Sequence, residues 1–101
     1  MAEIRVELHE QAIAEARATY EWYAARNPAA ADAFMAELDQ AREQIARFPE
    51  AWAPYISNTR RYLMRRFPFS VIYRKQGQKL QVIAVAHNRR KPGYWKSRMK
   101  T

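Results

Sequence analysis

The chain of 101 residues has no cysteine, only two glycines and only two histidines. Without cysteine there is no disulfide framework and no thiolate chemistry, which suits a cytoplasmic protein. With Gly77 and Gly93 as its only glycines, it has no glycine-rich phosphate loop, and no serine hydrolase motif is present. His9 and His87 lie far apart in the sequence, so neither a transition metal nor another cofactor is expected. The longest apolar run, Val82 to Ala86, is much too short to span a bilayer. The first residues lack a basic stretch leading into an apolar one, so no signal peptide and no membrane partner are expected. The most informative absence is of negative charge. No Asp or Glu occurs after Glu50.

That absence divides the chain. Up to Glu50 it carries ten acids against five Lys and Arg, a balance of −5. From Ala51 onward it carries thirteen Lys and Arg, giving +8 overall. Solubility alone does not require such a split. The second half reads as shaped to meet something negative: a nucleic acid, an acidic protein segment or an anionic surface. The length fits one compact domain over residues 1–101, and 49% hydrophobic and 13% aromatic content argue against disorder.

Periodicity predicts the order β-α-α-β-β-β. Ile4, Val6 and Leu8 alternate with charges as in a half-buried strand. Ile13, Ala16, Tyr20 and Tyr23 then follow helical spacing to about Arg26, with Trp22 off that face. Asn27-Pro28 reads as an N-cap and first helical position. Phe34, Leu38, Ala41, Ile45 and Phe48 form the stripe of a second helix, antiparallel to the first, and Pro49 ends it. Glu50 to Asn58 reads as a packed loop. Three strands are expected at Arg60 to Arg66, Phe69 to Arg74 and Leu80 to Ala86. Gln76-Gly77 turns between the last two, and Pro68 starts its strand or marks a bulge. The expected fold is α+β, with a helical hairpin on one face of a mainly antiparallel sheet. The first strand is expected at a sheet edge, and the opposite face is left for binding.

The densest chemical cluster is His87-Asn88-Arg89-Arg90-Lys91-Pro92-Gly93-Tyr94-Trp95, directly after the most apolar strand. Its arginines suit phosphate, its imidazole can exchange a proton, and its aromatics could stack on bases. The plainer reading makes His87 a satisfied strand-end residue and Trp95 a core closer. A second basic group, Arg60, Arg61, Arg65 and Arg66, flanks Tyr62-Leu63-Met64; it suits either a guarded edge strand or phosphate contact. No paired carboxylates occur in the basic half. The acids of the first half are expected only to keep the helices soluble.

The element order, the run Arg65-Arg66-Phe67-Pro68-Phe69-Ser70-Val71-Ile72-Tyr73-Arg74 and the ending Val85 to Trp95 together resemble the RelE/ParE family of type II toxins, across essentially the whole chain. The resemblance implies a toxin held inactive, in a hetero-oligomer, by the acidic segment of a cognate antitoxin. Candidate target or antitoxin contacts are then Arg61, Arg65, Arg74, Arg89, Arg90 and Trp95. The His-x-Arg-Arg ending followed by tryptophan is more similar to the ParE-like branch, which implies inhibition of DNA gyrase without catalysis. The RelE-like alternative is a metal-independent, ribosome-dependent mRNA endonuclease using His87, Arg89 and Tyr94. Relatives of that branch carry second-strand lysines and a third-strand arginine, where this chain has Arg61, Leu63 and Ser70. A third possibility is a non-toxic module that only binds an antitoxin.

Overall fold

The computed structural model describes residues 4–100. The chain runs β1 (Arg5–Leu8), α1 (Glu10–Ala24), α2 (Pro28–Arg47), β2 (Ala53–Tyr55), β3 (Thr59–Leu63), β4 (Phe69–Gln76) and β5 (Lys79–His87), then a 3₁₀ turn at Lys96–Met99. The five strands form one sheet in the order β1-β5-β4-β3-β2. β1 lies at an edge, parallel to β5, as the crossover through two helices requires; the other pairs are antiparallel.

Local chemistry accounts for the helix boundaries. Nδ1 of His9 accepts from the Gln11 N–H at 3.0 Å and caps α1. Asn27 is extended and its Oδ1 accepts from Ala30 N–H, with Pro28 opening α2. The α2 stripe is buried at Phe34, Leu38, Ala41 and Ile45, but Phe48 lies just beyond the helix and is 52% exposed. α1 turns a different face inward than its bulky residues suggest. Ala12 and Ala16 are buried, whereas Ile13 and Tyr20 are 44% and 36% exposed. Small residues here let α1 lie close against α2 and β5.

The structure corrects the strand count from four to five. Ala53–Tyr55, read as loop, pairs with β3 and occupies the edge expected for β3. Pro54 is tolerated there because an edge strand leaves half its backbone groups unpaired. β3 ends at Leu63, so Arg65 and Arg66 lie beyond it, and Phe69 opens β4 directly after Pro68. Gln76 pairs with Lys79, which puts the turn at Gly77-Gln78, one residue later than expected; Gly77 takes φ +63°.

A bulge gives β5 two useful faces. Ile72 pairs with Ala84 and Tyr73 with Val82, so Ile83 is the extra residue and shares a side with Ala84. Leu80, Val82 and Val85 face the helices with Val71 and Tyr73, while Ile83, Ala84 and Ala86 join Ile72 on the other side. The second layer closes over Trp95, which is 1% exposed. Truncating so buried an aromatic costs about 3–5 kcal/mol. The sheet is thus apolar on both sides, as the unbroken apolar run predicts.

Candidate binding face

Pairing places Arg61, Ile72 and Ala84 in one row across the sheet and Leu63, Ser70 and Ala86 in the next. These rows face away from the helices. The segment after β5 folds back over them, seated by Trp95. Gly93 permits this return with φ +85°; a Cβ there would lie 2.8 Å from Cε of Lys96 and 3.2 Å from Cδ1 of Ile56.

The result is a shallow depression of about 90 Å³ lined by Tyr55, Arg61, Ser70, Asn88, Arg90 and Lys91, among others. No carboxylate lines it. The Arg61 guanidinium covers the Tyr55 ring at 4.6 Å, and Arg90 covers the Tyr94 ring at 3.8 Å. The Ser70 hydroxyl donates to Oδ1 of Asn88 at 2.6 Å. Nε of Arg61 is buried and finds no hydrogen-bond partner, the one such side-chain atom among the described residues.

Two acids from the first half organise this basic half, contrary to the expectation that they serve only solubility. Glu15 of α1 accepts from the Val85 N–H at 3.0 Å, from both terminal nitrogens of Arg98 at 2.8 and 2.9 Å, and from the Tyr94 hydroxyl. It therefore covers the flank of β5 that β1 is too short to reach, and it fastens the C-terminal segment. Arg98 also donates to the Ile83 carbonyl at the bulge. Burial, then the hydrogen bond and charge of Glu15, push the Tyr94 phenol well above its ordinary range, against the opposing charges of Arg98 and Arg90. The hydrogen bond to Glu15 likewise raises Arg98, against burial. Glu37 of α2, 6% exposed, accepts from the Arg65 and Arg66 backbone N–H groups and ion-pairs with the Arg66 side chain. Both acids sit three residues from a buried position, Ala12 and Phe34. An acid at that spacing on an apolar stripe was the signal to follow.

The sequence-predicted residues separate in space. Arg61 and Arg90 meet at the depression. Arg89 is exposed in the adjoining turn. Trp95 lies beneath the depression as core, not on its surface. Arg74 bonds Gln81 at 3.1 Å and lines a different groove of about 670 Å³, with Arg60, Lys75 and Lys79. Arg65 lines a third hollow beside Glu37 and Trp52. His87 pairs with Phe69 on the helix-facing side, its ring 5.0 Å from the Phe69 ring, and its Nδ1 accepts from the Arg89 N–H at 3.1 Å. The His87 ring thus packs toward the helices, while the residue itself also lines the depression together with Tyr94. Tyr55, Glu15 and Glu37 were not singled out for the site from the sequence, and Ser70 and Asn88 were named there without a contact of their own.

Residues 6–92 match a family model described as the ParE toxin of the type II toxin-antitoxin system, parDE. No curated protein matches the sequence. A solved structure titled "Chromosomal ParDE TA system from P. aeruginosa" superposes with a TM-score of 0.74 at 18% identity, covering 83% of this chain and 95% of that one. At that identity the likeness is one of fold.

Proposed function

This chain belongs to the ParE toxin family of type II toxin-antitoxin systems, and on that premise we propose that it inhibits DNA gyrase without catalysis and is neutralised by a cognate antitoxin. In this reading residues 1–101 act as one cytoplasmic toxin domain, held with the antitoxin as a hetero-oligomer. An acidic antitoxin segment lies on the basic sheet half, and Arg89 and Arg90 project toward the target.

The internal engagement of both His87 and Tyr94 supports the non-catalytic reading. RNA cleavage by this fold would need a proton acceptor and a proton donor on either side of one phosphate. Here the His87 ring packs against Phe69 and its Nδ1 accepts from the Arg89 N–H, while the Tyr94 hydroxyl donates a hydrogen bond to Glu15 and burial keeps the phenol protonated. Nor does the depression offer a nucleotide a stacking platform, since guanidiniums already cover the Tyr55 and Tyr94 rings. Among the described residues no helix is long and apolar enough to cross a membrane.

Inducing the protein in cells tests this. The expected result is an SOS response with filamentation and intact mRNA, relieved by co-expressing the antitoxin. A rapid translation block with codon-positioned mRNA cuts would replace this reading with the endonuclease one.

A further inference from the structure

We propose that the depression beside Arg61 is a seat for a single carboxylate, supplied by an acidic side chain of the neutralising partner. The inference rests on the toxin reading above, and it names the chemistry by which the partner is gripped.

The seat lacks one thing, an acceptor. Nε of Arg61 is buried without a hydrogen-bond partner, although a guanidinium N–H cut off from water is costly to leave unpaired. The groups around it are also rich in donors. Arg90 and Lys91 contribute two more cations to the lining. Asn88 has its amide oxygen taken by the Ser70 hydroxyl, so its remaining polar group is the NH₂. A ligand that only accepts and carries negative charge complements this set. The volume of about 90 Å³ matches one small oxyanion.

Carboxylate is favoured over nucleic-acid phosphate by the aromatics. A single strand laid here would need an uncovered ring on which to stack its bases. Tyr55 lies under Arg61, Tyr94 lies under Arg90 with Arg98 5.1 Å from its ring, and Trp95 is buried. The same stacking fixes the two guanidiniums before any ligand arrives. An acidic side chain needs nothing more than that fixed pair of forks.

The test follows the arginine Nε–H resonances of ¹⁵N-labelled whole protein during titration with acetate, with dimethyl phosphate and with a hexaglutamate peptide. Arg61 should shift and saturate with acetate and hexaglutamate, while Arg17 on the exposed face of α1 stays put. Tighter saturation by dimethyl phosphate than by acetate, both monoanions, would overturn the carboxylate assignment in favour of a nucleic-acid backbone. No saturable shift of Arg61 with either would overturn the seat itself. As a second measurement, Arg61→Gln should weaken hexaglutamate binding about 10-fold or more, while Arg17→Gln, which removes the same charge, should stay within about twofold. Equal losses in the two variants would mean diffuse attraction and no seat. Growth arrest by the wild-type protein reports on the toxin reading separately and is indifferent to these outcomes.

Discussion

The carboxylate of Glu15 and the guanidinium of Arg98 face each other as a two-pronged pair, 2.8 and 2.9 Å apart, with side chains only 18% and 9% exposed. They come from opposite ends of the chain and opposite sides of its charge division. With Tyr94 and the Val85 N–H on the same carboxylate, this pair anchors the segment that carries Arg90.

Breaking one side of such a pair strands the other. Glu15→Ala should destabilise the protein by about 3–5 kcal/mol in urea unfolding, because it leaves a largely buried guanidinium and the Val85 N–H without their acceptor. Combining Glu15→Gln with Arg98→Met should cost less than the sum of the two single changes. Strict additivity would show that the two groups are not coupled.

Glu37→Ala should cost about 1–3 kcal/mol by removing the acceptor of the Arg65 and Arg66 backbone N–H groups. The effect should be local at first. Amide exchange at Arg65 and Arg66 should accelerate, while the amides of β5 keep their protection until global unfolding.

Alkaline pH should weaken the fold through Tyr73. Its hydroxyl donates to the Pro49 carbonyl at 2.6 Å, and burial pushes its pKa from 10.0 up to about 12, with Arg60 opposing. The unfolded chain releases this proton first, so the contribution is complete below pH 10 and disappears as pH rises through about 12. Tyr73→Phe should lose about 1 kcal/mol at neutral pH with the hydrogen bond and show a shallower decline above pH 10. Part of the slope should persist, since Tyr94 is raised as well. An unchanged slope in the variant would remove Tyr73 from the account.

Arg89 and Arg90 are both exposed, so replacing both with alanine should leave the circular dichroism spectrum and melting behaviour nearly unchanged while abolishing growth arrest. Retained toxicity in a folded double variant would remove the two arginines from the target contact.

What could be read without coordinates was what depends on neighbours in sequence. Asn27-Pro28 fixed the helical boundary through capping chemistry, and the unbroken apolar stretch of β5 announced a strand covered on both sides. The family pattern was legible for the same reason, being carried by contiguous runs. What escaped depends on distant partners. β2 hid behind Pro54, which argues against a strand wherever the edge position is unknown. Ile13 seemed a better core residue than Ala12 until the closeness of the helix to β5 favoured the smaller side chain. Glu15 looked like one solvated acid among ten, because nothing nearby in sequence reveals Arg98. The bulge at Ile83 likewise has no local signature, yet it puts two consecutive residues on one side of β5.

The parallel contact of β1 with β5 has a consequence for how the chain comes into being. β1 is made before the other four strands, but among the described residues its one neighbour in the sheet is β5, the last of the five to be made. The carboxylate of Glu15 likewise waits for Tyr94, Val85 and Arg98, all near the other end. A growing chain on the ribosome can assemble the helical hairpin but cannot close the sheet until β5 has emerged. The arginine-bearing segment is fastened after that. Any synthesis aborted before β5 yields a fragment that lacks both the strand joining β1 to β4 and the basic segment after it, so the sheet cannot close.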